Sequence, residues 1–244
     1  MDKLLADFRN ANERLKALWE TEEYRAQCEH FRAECKRLEQ LGYDFLANKR
    51  KYTTRCKKAV VRQEYASGCR HLHRGFYSPS LLFPHMIYGA QRGKILSRIT
   101  SRSNPCFEYG FNDANQMVLC KTLEKRKVQR TEFLLYEQNR IIGFTMSSFD
   151  ELESISEEVY ENGKPVYYVN ALFASFLETP VVFSLSYEEY EFDAQGNLNG
   201  HWHRFSDSLF SDSSSFDRIF GLDRVSVPLY RQEIYTIPAS SLNK

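Results

Sequence analysis

The sequence contains no apolar run approaching the roughly 20 residues of a membrane-spanning helix. Its start, MDKLLADFRNANERLK, is charged throughout and lacks the apolar core of a secretory signal. Six cysteines, at 28, 35, 56, 69, 106 and 120, form no C-x-x-C pair and no compact framework. Reduced thiols and a cytoplasmic location are the expectation. Catalytic signatures are missing too: there is no G-x-S-x-G, no H-E-x-x-H and no dinucleotide fingerprint. The segment GAQRGKI (89–95) has three residues between its glycines where a phosphate loop needs four. Ile95 also stands where that loop needs a hydroxyl. No catalytic residue, cofactor or metal is assigned, and the chain is read as a non-enzyme.

Proline is absent from residues 3 to 66, and Gly42 is the one glycine there. The stretch is rich in Leu, Ala, Glu, Lys and Arg, which favours helix. Leu4, Phe8, Ala11, Leu15 and Leu18 follow helical spacing. Tyr24, Cys28, Phe31, Cys35 and Leu38 repeat it in a shifted frame, so Cys28 and Cys35 read as small apolar residues on a buried stripe. Gly42 marks the expected turn of a helical hairpin. Residues 69–104 hold GFYSPSLLFPHMIYGAQRGK, with two prolines and three glycines, and read as an irregular connecting segment.

Strand signals follow. Aromatic content is 14%, with 15 Tyr and 18 Phe, and broad rings suit pleated faces. EYGFNDANQM (108–117) and EYEFDAQGNL (189–198) share a register in which Asn115 or Gly196 closes the turn in the left-handed region. Tyr109 and Phe111 then share one face, as do Tyr190 and Phe192. Shorter versions occur at YEQNRII from Tyr136 and YENGKPV from Tyr160, with Gln138-Asn139 and Asn162-Gly163 as tight turns. Four consecutive hairpins build an antiparallel meander, one face ringed and the other largely polar. The serine-rich FSDSLFSDSSSFDRIFGLD (205–223) reads as loop, and Pro228 puts the last strand at an edge or interrupts it. The expected class is α+β: helices over 1–68, a connector over 69–104, and a meander of about eight strands over 105–244.

The net charge of +1 hides an asymmetry. Residues 49–74 carry nine Lys or Arg against Glu64 alone, and residues 147–200 carry eleven Asp or Glu against Lys164 alone. The basic stretch, with Lys49, Arg50, Lys51, Arg55, Lys57, Lys58 and Arg62, is a candidate for nucleic-acid phosphates, although it completes no binding motif. Cys69, His71 and His73, with Cys56 upstream, have zinc-compatible chemistry but match no common zinc spacing, and the surrounding bases repel a cation. His201 and His203 alternate beside Trp202 and read as a packed or solvent-facing pair.

The hairpins EYGFNDANQM, YENGKPV and EYEFDAQGNL resemble the meanders of bacterial immunity proteins encoded beside polymorphic toxins. They are also similar to the Tyr-Asp hairpin repeats of such toxins and to MORN-type antitoxin hairpins. The resemblance covers about 105–205. It implies a cytoplasmic, non-catalytic protein that neutralises a cognate toxin by capping its active surface; a basic toxin, such as a nuclease, would be steered by the acidic face. The candidate partner surface is Tyr187, Glu188, Glu189, Tyr190, Glu191, Asp193 and Trp202, because rings dominate interface energy and acids set the rim. For Tyr187 and Tyr190 to share a buried face, a β-bulge is expected near Glu188 or Glu189; without it both faces of the strand carry rings and something must cover the second one.

Overall fold

The structure is a computed structural model that describes residues 14, 17–68, 72–86, 92–99, 106–174, 180–206 and 229–242. Helix α1 (Glu22–Ala47) starts where Thr21 accepts a hydrogen bond from the Tyr24 amide, with Glu22 and Glu23 in its first turn. Its buried positions are Tyr24, Cys28, Phe31, Cys35, Leu38, Gly42 and Phe45, the shifted frame read from the sequence. The helix runs straight through Gly42, and the chain breaks instead at Asn48, before α2 (Lys49–Ala59). Gly42 is there for packing: a Cβ would lie 3.2 Å from Leu152 and 3.4 Å from the Phe173 ring. Leu4, Phe8, Ala11 and Leu15 lie outside the described residues, and Leu18 is exposed.

Helix does not extend to residue 66. Strand β1 (Arg62–Ser67) pairs with β3 (Cys106–Phe111) and with the short β2 (Lys94–Leu96), so the helical and connecting regions both donate strands. The remaining strands are β4 (Met117–Glu124), β5 (Lys127–Glu137), β6 (Arg140–Ser147), β7 (Leu152–Glu161), β8 (Lys164–Phe173), β9 (Val182–Phe192), β10 (Leu198–Ser206) and β11 (Leu229–Ile237). One antiparallel sheet of eleven strands results, nine of them (β3–β11) within 105–244, where about eight were expected, in the order β11-β10-β9-β8-β7-β6-β5-β4-β3-β1-β2. The serine-rich 207–228, Pro228 included, lies outside the described residues.

Both faces of this sheet are ringed, which corrects the expectation of one polar face. On the first face lie α1 and α2. Phe31 meets the rings of Tyr187, Phe205 and Tyr230, and Phe45 stacks on Phe144 at 4.1 Å. On the second face lies the irregular segment 72–86, which includes a short helix α3 (Phe83–Met86). Phe76 and Tyr77 pack on Phe107, Tyr109, Phe111 and Leu134, while Leu81 and Leu82 pack on Tyr168, Tyr190 and Trp202. Fully burying one such side chain is worth about 1.5–3 kcal/mol, so this proline-containing crossing is a second core layer.

The hairpin turns confirm most of the local reading. Asn115 (φ 59°) and Gly196 (φ 81°) are left-handed, as are Asn162 and Gly163. The two longer loops match bond for bond: Asn112 N donates to Gln116 O and Asp193 N to Asn197 O, each at 3.0 Å. Asn112 Oδ1 and Asp193 Oδ1 each accept from the amide four residues on, at 2.8 Å. Gln138-Asn139 turns without positive φ, whereas Lys125 and Arg126 adopt it unannounced by any glycine. No bulge occurs at Glu188 or Glu189. Strands β9 and β10 pair without a break, and the shift lies at the start of β9, opposite Leu172 and Phe173. Tyr187 therefore faces α1, and Tyr190 faces Leu81 and Leu82.

Candidate functional site

Three places concentrate chemistry. The first lies under the crossing segment. Arg74, left-handed at φ 58°, is almost fully buried and forks onto Glu132, with Nε 3.0 Å from Oε2 and Nη2 2.9 Å from Oε1. It also pairs with Glu158 and donates to Ser156 Oγ at 2.9 Å. Gly143 makes room for this: a Cβ there would stand 2.0 Å from Glu132 Oε1 and 2.4 Å from Ser156 Oγ. Burial pushes the Glu132 carboxyl up, but Arg74 and His73 outweigh it and hold it well below the usual carboxylate range. His73 Nδ1 lies 2.7 Å from the Tyr168 hydroxyl, and its Nε2 lies 3.1 Å from Glu132 without hydrogen-bond alignment. A cleft of about 480 Å³ opens beside the group, lined by His73, Arg130, Thr145, Ser154 and Asn170, whose Oδ1 is buried without a partner. It offers donors and acceptors to a polar ligand.

The four hairpin tyrosines all belong to this face. Tyr109 donates to Arg74 O at 2.9 Å, Tyr136 to Met117 O at 3.0 Å, Tyr160 to Glu158 at 2.8 Å and Tyr190 to Glu188 at 2.6 Å. Each phenol satisfies a buried polar group while its ring fills the layer. Glu188 also accepts from Ser80 Oγ at 2.6 Å and Leu82 N at 3.1 Å. Burial still pushes its carboxyl up, against those donors.

The second place is the β9–β10 hairpin. The structure divides the set read from sequence. Glu188, Tyr190 and Trp202 are buried within the second face, the Trp202 indole donating to Ser186 at 2.8 Å, and cannot form a rim. Tyr187 is half-buried under Phe31. Glu189, Glu191 and Asp193 are exposed. The alternation of β9 decides this: with no bulge, odd and even positions serve opposite covered faces. His201 and His203 join Glu189 on the α1 face, His203 Nε2 lying 3.1 Å from Glu189 Oε2.

The third place is α2. Arg50, Lys51, Arg55 and Lys58 line a shallow exposed groove with Thr54. The other bases are engaged: Lys49 pairs with Asp150, Lys57 sits over the Phe133 ring, and Arg62 covers Phe111 and pairs with Glu64. Cys69 and His71 lie outside the described residues, and His73 turns onto Tyr168 and Glu132.

Sequence reading missed Arg74, Glu132 and Glu158 as a unit, because nothing local joins residues so far apart. Glu132 and Glu158 sit among rings on strands, a pattern that flags a buried charge only once the covering segment is known.

The fold defines an α+β protein with a single antiparallel meander covered on both faces. No family model, curated protein or solved structure matches the chain. Among the described residues no helix is long and apolar enough to cross a membrane.

Proposed function

We propose that the protein is a non-enzymatic binding protein, an immunity protein that caps a cognate basic toxin. One observation supports the reading above others. The four tyrosine-marked hairpins turn at the same end of the sheet, because each lies two strands from the next in an unbroken meander. Their tips carry Asp113, Glu137, Glu161 and Asp193, exposed on successive turns, with Glu191 beside them. Six strand spacings separate the first tip from the last, about 30 Å. That span suits the roughly 800 Å² per partner of a stable complex. Of the basic residues on these hairpins, Arg140 pairs with Glu137 and Glu157, and Lys164 lies over the Phe192 ring, while Lys51 and Arg55 of α2 stand beside the first two tips. Loops held by a rigid scaffold are the usual location of binding residues.

The test is co-expression with the product of the gene adjacent to its own. Rescue of cells from a toxic neighbour, lost on reversing Asp113, Glu161, Glu191 and Asp193 to Lys, fits the reading. A harmless neighbour, or rescue indifferent to the tips, counts against it. The second reading, nucleic-acid binding, draws on the groove of Arg50, Lys51, Arg55 and Lys58. A filter-binding titration decides it: salt-dependent binding removed by Arg50→Ala, Lys51→Ala and Lys58→Ala together favours nucleic acid.

A further inference from the structure

Strands β9 and β10 bring three potential metal ligands together that are distant in the chain. His201 is the direct cross-strand partner of Glu189, and His203 is the next residue on the same face. The two imidazoles and the carboxylate each place a ligand atom within 4.8 Å of the other two. His203 and Glu189 are already 3.1 Å apart. Ligands bound to zinc at about 2.0–2.2 Å in a tetrahedron stand roughly 3.3 Å apart, so this pair forms one edge, and closing the site needs only side-chain motion of the exposed Glu189 and the partly exposed His201.

The supporting residues are in place. His203 Nδ1 lies 3.0 Å from the Tyr230 hydroxyl, which leaves Nε2 toward Glu189. Metal-binding imidazoles are typically held through their second nitrogen in this manner. The ring also packs against Phe31, at 5.4 Å, and Tyr230, at 6.0 Å. Such packing presets a ligand's rotamer. Glu189 faces solvent, giving an entry path. A hydrogen-bonded Glu-His pair alone requires neither the third donor on the same face nor the Tyr230 hydroxyl on the second nitrogen of His203.

We propose that Glu189, His201 and His203 form a binding site for one divalent ion of the zinc class, with a fourth position left open. Two imidazoles and a carboxylate suit zinc and its neighbours in the first transition row, and disfavour calcium and magnesium.

The test is equilibrium dialysis of the full chain against zinc alone, followed by cobalt substitution and its visible spectrum. The expected result is one ion per chain. Tyr230→Phe should weaken uptake about 10–100-fold, and Glu189→Gln with His201→Gln should weaken it further. Those two residues are at the surface, so the double variant keeps its fold by circular dichroism even where His203→Gln does not. The cobalt form should lack thiolate charge-transfer absorption. No saturable uptake, uptake surviving the double variant, or a thiolate band would overturn the proposal, the second placing the ion elsewhere and the third assigning it to cysteine.

Discussion

Arg74 and Glu132 form a two-point ion pair between the crossing segment and the middle of the sheet, with both side chains almost wholly out of solvent. The pair pins residues 72–86 to β5, and through Glu158 and Ser156 to β7. It is one polar centre of that layer, the Glu188 group with Ser80 and Tyr190 being another.

Removing the cation should therefore cost far more than a surface charge. Arg74→Met leaves Glu132 and Glu158 buried without their partner, and breaking such a pair costs about 3–5 kcal/mol. Urea unfolding followed by fluorescence should show a clearly lowered midpoint. A change under about 1 kcal/mol, the scale of an exposed pair, would mean that water reaches the group.

Two of the buried acids, Glu132 and Glu188, should respond oppositely to pH. Burial disfavours the Glu132 anion, but Arg74 and His73 hold its folded carboxyl below the ordinary range. Its stabilisation is present above that range and is lost as pH falls from it through the lowered folded value. Burial raises Glu188, against Ser80, Tyr190 and Leu82. Its folded form binds the proton longer than the unfolded form, so stability declines as pH rises from the ordinary carboxylate range through the raised value. Urea midpoints of Glu188→Gln against the parent, between about pH 4 and 8, should move in the variant's favour with rising pH. A constant difference would show that Glu188 does not titrate abnormally.

Gly143→Ala tests the packing of the same centre. The added methyl would stand 2.0 Å from Glu132 Oε1 and 2.9 Å from Arg74 Nη2. Overpacking of this kind costs about 1–3 kcal/mol, although alanine is otherwise the better strand residue. A neutral or stabilising result by thermal melting would contradict the geometry.

Much of the architecture was legible in particular residues. The stripe from Tyr24 to Leu38 announced α1, and the paired loops ending at Asn115 and Gly196 announced their hairpins, because both signals are local. The cover on the second face was not legible. Residues 72–86 carry the two prolines and the glycine of a loop, and their role as a core layer depends on contacts with strands far along the chain. The bulge expected at Glu188 failed for the same reason. It assumed one buried face, and with two the plain alternation of Tyr187 and Tyr190 satisfies both. Glu188 then serves as acceptor for Ser80, Leu82 and Tyr190 instead of a rim charge. The metal-ligand grouping was half visible as His201-Trp202-His203, and only the β9–β10 register supplied Glu189.

The most direct test of the binding account is the association rate between this protein and the product of the adjacent gene, measured by stopped flow at low and high salt. For the tip variant carrying Asp113→Lys, Glu161→Lys, Glu191→Lys and Asp193→Lys, the account predicts association at low salt slowed about tenfold or more, with a smaller effect at high salt. An unchanged on-rate in a variant that keeps its circular dichroism spectrum would contradict it and leave the hairpin tips as scaffold.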